Sequence, residues 1–519
     1  MARVLIIGGA GYVGGSTTLY LRDQGHQPWV LDDLSTGLYT IPEGVGFTHC
    51  QMGDSARVRE LLARERFDCV MHFAAKSLVS ESVEKRDEYF ENNVIQTERL
   101  VEALIGSQHP GHRKILFSSS CAVYGDPKTP VIDESCAKKP LSPYGETKLA
   151  VEKLLERYAW DHGVQSIALR YFNAVGADPK LRIGENHHPE THLLPRILKA
   201  CLNQTPIELY GTDYPTEDGT AIRDYIHVWD LARAHEAAML KLLRLPAGLK
   251  SDQGRFEAYN LGSENGFSVR EVIEGCFMLS GKKTQVIEKP RRAGDPAVLV
   301  ADTMLARKVL GFEIKHSLED AIRDSLGWEM KKLEAMRKAV FLDRDGTLNE
   351  DPGYLNDPEK VKLLPGVEES LSKLKEAGFL LIVISNQSGV GRGLIEPLIL
   401  PKIHDRLNRL LAPSGAMIDH FESCLHRPEE DCDCRKPKPK LIRDAARELS
   451  VDISRSYMVG DKISDVDAGR NAGCKKTILV CTGWGDQAVK QLKSGQADFV
   501  GAKLSEVANW ILSQENEAH

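Results

Sequence analysis

Three features are missing from the sequence, and each absence excludes a class of protein. No run of roughly 18 or more apolar residues occurs, so we expect no membrane-spanning helix and no membrane partner. Neither sign of charge dominates, because 67 Lys and Arg face 74 Asp and Glu, and a net charge of −7 gives no reason to expect a nucleic-acid partner. A charged and apolar leader is also absent, since Met1 to Gly8 runs directly into a strand pattern, and we expect a cytoplasmic protein.

The remaining composition is ordinary for a globular protein, with 42% hydrophobic and 27% charged residues over 519 positions. Two short apolar segments, 3–7 and 338–342, each have the pattern of the first strand of an α/β domain. The stretch 327–338 between them is charged and helix-prone. We therefore predict an α/β protein of two domains, 1–335 and 336–519, joined by a short, semi-rigid connection.

A glycine-rich stretch in the first domain has the spacing of a dinucleotide-binding turn. Gly8, Gly11 and Gly14 stand between a strand and a helix, where missing side chains let backbone amides approach a pyrophosphate. Asp32 ends the next strand 18 residues past Gly14, where a carboxylate can accept the ribose hydroxyls of NAD and would repel a 2′-phosphate. Asp54 ends a third strand-like segment and either meets the adenine or caps the next helix.

A tyrosine and a lysine downstream have the spacing of a catalytic pair. Tyr144 and Lys148 are four residues apart and therefore share one helical face. The ammonium would lie beside the phenol and, with a nicotinamide charge nearby, lower its pKa toward neutrality, as a general base requires. The triplet Ser118-Ser119-Ser120 ends the preceding strand.

With these motifs, residues 1 to about 330 resemble the extended short-chain dehydrogenase/reductase family, and within it the UDP-glucose 4-epimerase branch. The resemblance implies a Rossmann-type doubly wound parallel sheet with a small substrate lobe, formed mainly by segments after 170. It also implies NAD-dependent epimerisation at C4 of a UDP-hexose, UDP-glucose or UDP-galactose. Further motifs that carry it are His72-Phe-Ala-Ala75, Val123-Tyr-Gly125, Leu169-Arg-Tyr-Phe-Asn173, Tyr214-Pro-Thr-Glu-Asp-Gly-Thr220, Arg223-Asp-Tyr-Ile-His227 and Arg292-Ala-Gly-Asp295.

The same resemblance assigns roles to individual residues. Tyr144 would take the proton of the 4-hydroxyl, Ser120 would hydrogen-bond the same oxygen, and Lys148 would hold the tyrosine and the nicotinamide ribose. A homodimer through the helical segments 89–104 and 146–162 is implied as well. The other residues implied are Phe73, Ala74, Asn93 and Phe172 for the cofactor, and Asn173, His192, Leu193, Arg223, Arg292, Asp295 and Leu299 for the nucleotide-sugar.

Two positions separate epimerisation from other reactions of this family. Dehydratases have an Asp-Glu pair just before the Val-Tyr-Gly triplet and decarboxylases keep the Glu, whereas this chain has Cys121 and Ala122. Simple epimerisation is therefore favoured. The sugar stays open, because Leu299 is intermediate between the bulky and small residues that distinguish hexoses from N-acetylhexosamines, and an NDP-heptose is a further alternative.

The second domain begins with two carboxylates at the end of a strand. Asp343 can attack phosphorus there, and Asp345 can protonate the leaving oxygen. Asp461 follows another strand, with Asp465 four residues on, and we predict Mg²⁺ held by Asp343, Asp345 and Asp461. A calcium loop is disfavoured, because its ligand spacing and terminal Glu are absent.

Three of the eleven cysteines need an explanation of their own. Cys424, His426, Cys432 and Cys434 supply three thiolates and one imidazole, a closed tetrahedral set for a structural Zn²⁺. Reduced surface thiols with a chance histidine are the alternative. The other eight cysteines are scattered, as is typical of reduced thiols in a cytoplasmic protein.

Residues 337 to about 485 resemble the haloacid dehalogenase superfamily, and more narrowly the D-glycero-D-manno-heptose 1,7-bisphosphate 7-phosphatases and their histidinol-phosphatase relatives. The motifs include Ser385-Asn-Gln-Ser388 and Arg435-Lys-Pro-Lys-Pro439. A second Rossmann-like domain is implied, which hydrolyses a sugar phosphate with Asp343 as nucleophile and Asp345 as acid and base. A vestigial regulatory domain is the alternative. The residues implied in binding the sugar phosphate are Ser385, Asn386, Arg435, Lys436 and Lys462.

Overall fold

The computed structural model describes residues 1–36, 41–107, 109–127, 129–187, 190–246, 254–291 and 295–516. The chain divides into two units, Met1–Lys331 and Lys332–His519. Among the described residues, no helix has the length and apolar character needed to cross a membrane.

The first unit contains fourteen strands and eleven helices in the part of the chain described. A π-helix, Glu91–Ile95, lies between its fourth and fifth α-helices. The strands are β1 (Arg3–Ile7), β2 (Gln27–Asp32), β3 (Gly46–His49), β4 (Cys69–His72), β5 (Lys114–Ser120), β6 (Val131–Ile132), β7 (Gln165–Tyr171), β8 (Asn173–Val175), β9 (Ile207–Tyr210), β10 (Ile222–His227), β11 (Arg255–Leu261), β12 (Gly266–Ser268), β13 (Val286–Lys289) and β14 (Val298–Ala301). The helices are α1 (Tyr12–Asp23), α2 (Ser55–Arg64), α3 (Val79–Glu84), α4 (Arg86–Phe90), α5 (Gln96–Gly106), α6 (Pro143–His162), α7 (Leu193–Asn203), α8 (Val228–Arg244), α9 (Val269–Ser280), α10 (Met304–Leu310) and α11 (Leu318–Ala335).

Seven parallel strands in the order β11-β7-β5-β4-β1-β2-β3 form the main sheet of this unit. The apolar strand β1 is buried from Val4 onward, because helices cover both faces of the sheet. Helices α2, α5 and α6 pack on one face, and α1, α8 and α10 pack on the other. The strand order reverses at β1, between β2 and β4, which is the position where such sheets bind ligands.

A smaller group of strands adjoins this sheet. Strands β12, β10, β14 and β6 pair in that order, β8 pairs with β10, and β9 pairs with β13. Helices α7 and α9 pack around a separate apolar core that includes Ile197, Leu198 and Val272. Most of this lobe comes from segments after β7.

The second unit has its own parallel sheet. Its strands are β15 (Ala339–Leu342), β16 (Leu380–Asn386), β17 (His420–Cys424), β18 (Tyr457–Gly460), β19 (Lys476–Val480) and β20 (Phe499–Gly501). Its helices are α12 (Val367–Glu376), α13 (Ser388–Gly391), α14 (Ile399–Leu411), α15 (Lys440–Glu448), α16 (Ile463–Ala472), α17 (Gly485–Gln491) and α18 (Leu504–Asn516). The strand order is β17-β16-β15-β18-β19-β20, with β15 at the reversal point, so the carboxyl ends of β15, β16 and β18 lie side by side. The predicted α/β class with Rossmann-type parallel sheets is confirmed.

Candidate active sites

The three glycines of the turn between β1 and α1 differ in how closely other atoms surround them. Gly8 has φ +79°, and a Cβ atom there would lie 2.4 Å from the Ala74 amide nitrogen. A Cβ on Gly14 would lie 2.2 Å from the Gly8 carbonyl oxygen. A Cβ on Gly11 would meet only that oxygen, at 3.5 Å. Gly8 and Gly14 are therefore required by the fold, whereas Gly11 leaves open space at the uncapped N-terminus of α1.

The residues predicted to hold the cofactor surround this turn. Asp32 accepts hydrogen bonds from the Ala10 and Leu34 amides, each at 2.9 Å, so its carboxylate lies at the turn. Burial raises the pKa of Asp32, and these two amides oppose the shift. The amides of Phe73 and Ala74, just after β4, both donate to the carbonyl of the last residue of β1, at 2.8 and 3.1 Å. Phe172 is buried directly after β7.

Two other predicted cofactor residues have protein partners. Asp54 caps α2 by accepting a hydrogen bond from the Arg57 amide at 3.1 Å, as the capping alternative predicted. Asn93 donates to the Lys76 carbonyl at 3.0 Å and to the Thr147 hydroxyl at 3.1 Å, and it accepts from the Lys76 amide at 2.8 Å. These bonds orient the backbone after Ala74, and the cofactor contact of Asn93 stays a prediction.

The predicted catalytic residues converge at the carboxyl end of β5. Tyr144 is the second residue of α6, and Lys148 is buried one turn further on. The Lys148 Nζ donates to the Ser118 carbonyl at 2.7 Å and lies 5.7 Å from the centroid of the Tyr144 ring. Ser120 ends β5, and its hydroxyl forms a hydrogen bond with the Tyr144 phenol.

Burial acts on the pKa values of both Tyr144 and Lys148. Burial raises the pKa of Tyr144, the Tyr171 phenol adds to the rise, and the Ser120 hydroxyl opposes it. Burial also lowers the pKa of Lys148 to about 7, against the pull of Glu152. The expected lowering of the Tyr144 pKa includes the charge of a bound nicotinamide, so it stays a prediction.

Sequence reasoning missed two contributors to this group. Tyr171, the last residue of β7, bonds through its hydroxyl to the Ser118 hydroxyl. Glu152, on α6, forms a bidentate pair with Arg170 at 2.8 and 2.6 Å and accepts from the Ser119 hydroxyl at 2.6 Å. Both side chains of this pair are buried. The pair fixes α6, and with it Tyr144, against β5 and β7. Arg170 and Tyr171 lie inside the motif Leu169–Asn173, in which only Phe172 and Asn173 were assigned a role from the sequence.

The predicted nucleotide-sugar residues of the lobe meet on one group of strands. Arg223 on β10 is in register with Leu299 on β14, and its guanidinium pairs with Asp295. Asn173 begins β8, which also pairs with β10, and donates to the Asp224 carbonyl at 2.8 Å. The predicted Arg292 lies outside the described residues.

His192 and Leu193 lie elsewhere in the lobe, at the start of α7. His192 occupies the N-cap position and Leu193 is the first helical residue. The His192 Nδ1 lies 2.5 Å from Glu185 Oε1. Glu185 and the residues around it were not singled out from the sequence.

The second unit gathers charged residues at the reversal point of its sheet. Asp343 directly follows β15, and Lys436 places its Nζ 2.7 Å from Asp343 Oδ1 and 2.7 Å from Asp465 Oδ1. Although burial opposes its charge, these two carboxylates raise the pKa of Lys436. Oxygens of Asp343, Asp461 and Asp465 lie within 4.8 Å of one another. Three buried carboxylates thus face one point.

Asp461 has one carboxylate oxygen that forms a hydrogen bond and one that does not. Its Oδ2 accepts from the Trp484 amide at 2.8 Å, while its Oδ1 is buried without a hydrogen-bond partner. Burial and the charge of Asp343 raise the pKa of Asp461 to about 7. Lys462 Nζ lies 3.9 Å from that Oδ1.

Asp345 differs from its predicted role as a third metal-binding carboxylate. Its side chain bonds to Arg344 at 3.0 and 2.7 Å, to Asn349 at 2.9 Å and to Gln387 at 2.9 Å, so it turns away from the group of Asp343. Although burial opposes the shift, the Arg344 guanidinium lowers the pKa of Asp345. The side chain of Asp465 occupies the place expected for it.

The predicted phosphate-binding residues surround the same point. Ser385 near the end of β16 is buried and accepts from Gln387 at 2.7 Å. Asn386 and Lys436 exchange two hydrogen bonds, at 3.2 and 3.1 Å. Arg435 has a buried Nη1 without a hydrogen-bond partner. Gln387 was not selected from the sequence, although it lies inside the Ser-Asn-Gln-Ser motif.

The cysteine cluster is closely assembled. Cys434 Sγ lies 3.3 Å from Cys424 Sγ, 3.5 Å from Cys432 Sγ and 3.2 Å from His426 Nδ1. The Cys424 and Cys432 sulfurs are 3.5 Å apart, and none of these cysteines is in a disulfide. The cluster directly precedes Arg435.

Comparison with known proteins covers most of the first unit. Residues 4–262 match the model of the NAD dependent epimerase/dehydratase family. The UDP-glucose 4-epimerase of Halalkalibacterium halodurans is 44% identical over 327 residues, which are 63% of this chain and 95% of the relative. The chain belongs to the NAD dependent epimerase/dehydratase family.

Other members of the NAD dependent epimerase/dehydratase family agree with this assignment. The UDP-glucose 4-epimerase of Lacticaseibacillus casei is 40% identical over 328 residues, 63% of this chain and 96% of the relative. The crystal structure of the Brucella ovis UDP-glucose 4-epimerase in complex with NAD is 42% identical, with a TM-score of 0.59, and covers 63% of this chain and 98% of its own. The similarity is thus confined to the part of the chain that forms the first unit.

The second unit has a separate match. Residues 433–507 match a HAD-hydrolase-like family model, a segment that includes Lys436, Asp461 and Asp465. The prediction of an enzyme with an epimerase-type first part and a hydrolase-type second part is confirmed. The heptose specificity, the zinc and the homodimer stay predictions.

Proposed function

We propose that the first unit is an NAD-dependent UDP-hexose 4-epimerase that interconverts UDP-glucose and UDP-galactose. The observation that carries the proposal is the convergence of Ser120, Tyr144 and Lys148 at the carboxyl end of β5, in the same parallel sheet whose first strand leads into the glycine turn. The similarity to UDP-glucose 4-epimerases over almost their whole length supports the same activity.

The residues of the turn fit NAD. Gly11 leaves space at the uncapped amides of α1, where a pyrophosphate would bind. The carboxylate of Asp32 lies at the same turn and would accept the hydroxyls of the adenosine ribose. The carboxylate of Asp32 favours NAD over a cofactor with a 2′-phosphate. When bound, NAD would accept a hydride from C4 of the sugar and return it.

The side chains of the site handle the proton. Tyr144 would accept it from the 4-hydroxyl and return it, with Ser120 hydrogen-bonded to the same oxygen. Burial raises the pKa of Tyr144, and the positive charge of a bound nicotinamide would oppose this shift. Lys148, held on the Ser118 carbonyl, would bind the nicotinamide ribose and support the tyrosine.

The neighbouring positions favour epimerisation over elimination. Burial raises the pKa of Cys121 to about 12, although the Arg223 guanidinium opposes the shift, so its thiol stays neutral near pH 7. Ala122 has no proton to give. A dehydration would need an additional acid or base at these positions, and none is supplied.

The lobe would bind the UDP part of the substrate. Arg223 would contact diphosphate oxygens, for which a guanidinium is well suited, and the Arg223–Asp295 pair would open to let Asp295 accept the uridine ribose. Leu299 on the neighbouring strand would limit the space beside the hexose. N-acetylhexosamines and an NDP-heptose are the alternative substrates.

The test compares Tyr144→Phe with Tyr158→Phe, a control on the same helix whose hydroxyl donates a long hydrogen bond to Glu102 at 3.4 Å. We expect Tyr144→Phe to retain NAD and to lose interconversion of UDP-glucose and UDP-galactose, while Tyr158→Phe keeps it. Conversion assayed with UDP-hexoses, UDP-N-acetylhexosamines and an NDP-heptose identifies the sugar. Normal turnover by Tyr144→Phe would overturn the assignment of the base.

We also propose that the second unit is a Mg²⁺-dependent sugar-phosphate phosphatase of the heptose 1,7-bisphosphate 7-phosphatase type. The observation that carries it is the buried group of Asp343, Lys436, Asp461 and Asp465 at the reversal point of the sheet. Asp343 would attack phosphorus, and Lys436 would hold both the nucleophile and the phosphoryl oxygens. Asp345 would exchange the proton of the leaving group.

The donor set fits magnesium. Three carboxylates converge, and the Oδ1 of Asp461 is buried and unpartnered. Asp343, Asp461 and Asp465 would hold the ion, which would reduce the charge repulsion between Asp343 and a phosphate. The side chain of Asp345 is not included, because its own hydrogen bonds direct it elsewhere.

The cysteine cluster fits zinc. Tetrahedral Zn²⁺ with sulfur at about 2.3 Å spaces its ligand atoms by roughly 3.3–3.8 Å, and the distances around Cys434 lie at or just below this range. With four protein ligands and no open position, the ion would be structural. It would hold the loop that carries Arg435 and Lys436.

The test measures phosphate release with Mg²⁺ from a heptose bisphosphate, hexose phosphates and histidinol phosphate. We expect Asp343→Asn to abolish release and Asp357→Asn, at a half-exposed helix cap, to leave it unchanged. No release from any of these substrates by the unmodified protein would refute the proposal and favour a regulatory second unit.

The homodimer also stays a proposal. Helix α6 exposes Trp160, whose side chain is 82% accessible, on the segment predicted to pair two chains. Trp160→Glu is expected to shift the mass measured by light scattering from two chains to one.

A further inference from the structure

A second group of metal-binding side chains lies in the first unit, at the start of α7. Glu185, His187, Glu190 and His192 each direct one ligand atom to a common point, and these four atoms lie within 4.8 Å of one another. Glu185 Oε1 is 2.5 Å from His192 Nδ1 and 3.3 Å from His187 Nδ1, and Glu190 Oε1 is 3.8 Å from His192 Nδ1. The group thus combines two imidazoles with two carboxylates.

Burial makes this arrangement costly without a cation. The Glu185 and Glu190 side chains are only 6% and 7% exposed, so two carboxylates are held together away from water. The Glu190 Oε2 is buried and has no hydrogen-bond partner, and Lys199 Nζ lies 3.8 Å from it. The His187 Nδ1 is buried as well and faces Glu185 Oε1 at 3.3 Å. Glu190 therefore holds a buried carboxylate oxygen available to a cation at this group.

The geometry points to one zinc ion at this group. We propose that Glu185, His187, Glu190 and His192 bind one Zn²⁺ that fixes the start of α7. Zinc bonds of about 2.0–2.2 Å to nitrogen and oxygen place tetrahedral donor atoms roughly 3.3–3.6 Å apart. Side-chain movements of under about 1 Å would bring the four ligand atoms to these separations. Imidazole with carboxylate is a donor set that suits Zn²⁺.

The consequence of the site is positional. His192 is the N-cap of α7 and Leu193 its first residue, so an ion bound to His192 would restrain the helix start. The link to UDP-sugar binding rests on the proposed function and on the family resemblance that implies His192 and Leu193 as nucleotide-sugar residues. With four protein ligands the ion has no open position, and it takes no part in the proton or hydride transfer.

The test measures zinc per chain by mass spectrometry after dialysis, in the full chain carrying Cys432→Ser and Cys434→Ser to remove the cysteine cluster. We expect this chain to keep close to one zinc, and the addition of His187→Gln to remove it. The matched control is His26→Gln, which removes an imidazole from a two-membered pair with Glu236 at 3.1 Å and should leave the zinc in place. No zinc in the cysteine-free chain, or zinc unaffected by His187→Gln, would overturn the proposal.

A second measurement tests the site without the His187→Gln variant, in case that variant does not fold. The metal-free chain with Cys432→Ser and Cys434→Ser is titrated with Zn²⁺ against a coloured chelator, and saturable uptake of one equivalent supports the site whereas no uptake overturns it. Zinc content is independent of turnover. A chain that binds this zinc and does not convert UDP-hexoses would contradict the proposed function and leave the zinc site standing.

Discussion

Replacing either of two glycines in the same turn by alanine is expected to impair the protein, but in different ways: one change lowers stability and the other lowers cofactor binding. A Cβ on Gly14 would lie 2.2 Å from the Gly8 carbonyl oxygen and 3.2 Å from the Gly9 Cα, both backbone atoms that cannot rotate away. A Cβ on Gly11 would meet only the Gly8 oxygen, at 3.5 Å, which is ordinary van der Waals contact. Gly14→Ala therefore damages the protein, whereas Gly11→Ala fills the space proposed for the pyrophosphate.

The two effects have different sizes. Alanine improves the helix at Gly14 by about 1 kcal/mol. Overpacking costs about 1–3 kcal/mol, and a contact of 2.2 Å with a fixed backbone atom takes the upper end of that range, so we expect a net loss of about 2 kcal/mol in the free energy of unfolding. Gly11 is the N-cap of α1 with φ −84°, which alanine adopts freely, and the change there should cost less than about 1 kcal/mol. Its NAD affinity should fall at least about tenfold, or 1.4 kcal/mol.

Urea unfolding followed by the fluorescence of the first unit, together with NAD affinity by titration, separates the two variants. Gly14→Ala should shift the unfolding midpoint, and Gly11→Ala should keep the midpoint while losing NAD. The reasoning is refuted if Gly11→Ala binds NAD as the unmodified chain does, or if Gly14→Ala is equally stable.

Three further predictions concern buried and partly buried ion pairs. Glu152→Gln leaves the guanidinium of Arg170 without its charge partner and should lower the unfolding free energy by about 3–5 kcal/mol in urea titrations. Lys436→Met should abolish phosphate release and lower the thermal midpoint of the second unit, because two buried carboxylates lose their cation. Burial opposes ionisation of Glu515, but hydrogen bonds led by that from Lys338 lower its pKa to about 2. The stability that the Glu515 carboxylate contributes is therefore present above its unfolded pKa of about 4.3 and is lost as the pH falls toward 2. Acid unfolding curves of Glu515→Gln should lack this loss.

The parts of the two sites that could be predicted are those fixed by a short motif and its position on a strand. Gly8, Gly11, Gly14 and Asp32 follow from one turn and the next parallel strand, which is why spacing was sufficient. The Tyr144 and Lys148 pair follows from helical periodicity. For Asp343 and Asp461, the carboxyl ends of adjacent parallel strands must meet at one edge, so their proximity also follows from the strand pattern.

The parts that could not be predicted depend on which way a side chain turns. Asp345 belongs to the same motif as Asp343, but its hydrogen bonds with Gln387 and the neighbouring Arg344 turn it from the metal group. For Asp54 the spacing allows both an adenine contact and a helix cap, and the side chain caps α2. Both outcomes depend on competing hydrogen-bond partners from distant segments, which strand periodicity does not reveal.

The chemistry of the two proposed reactions places them apart in a metabolic sequence. Removal of one phosphate from a sugar bisphosphate leaves a sugar 1-phosphate, whereas the first unit would need a sugar joined to UDP. At least one nucleotidyl transfer must therefore act between them, and neither the group around Tyr144 nor the group around Asp343 supplies it. The phosphatase product must leave the chain before it can become a substrate for the epimerase. Under the proposed functions the two sites take different substrates, so each site is expected to turn over at a rate independent of the other.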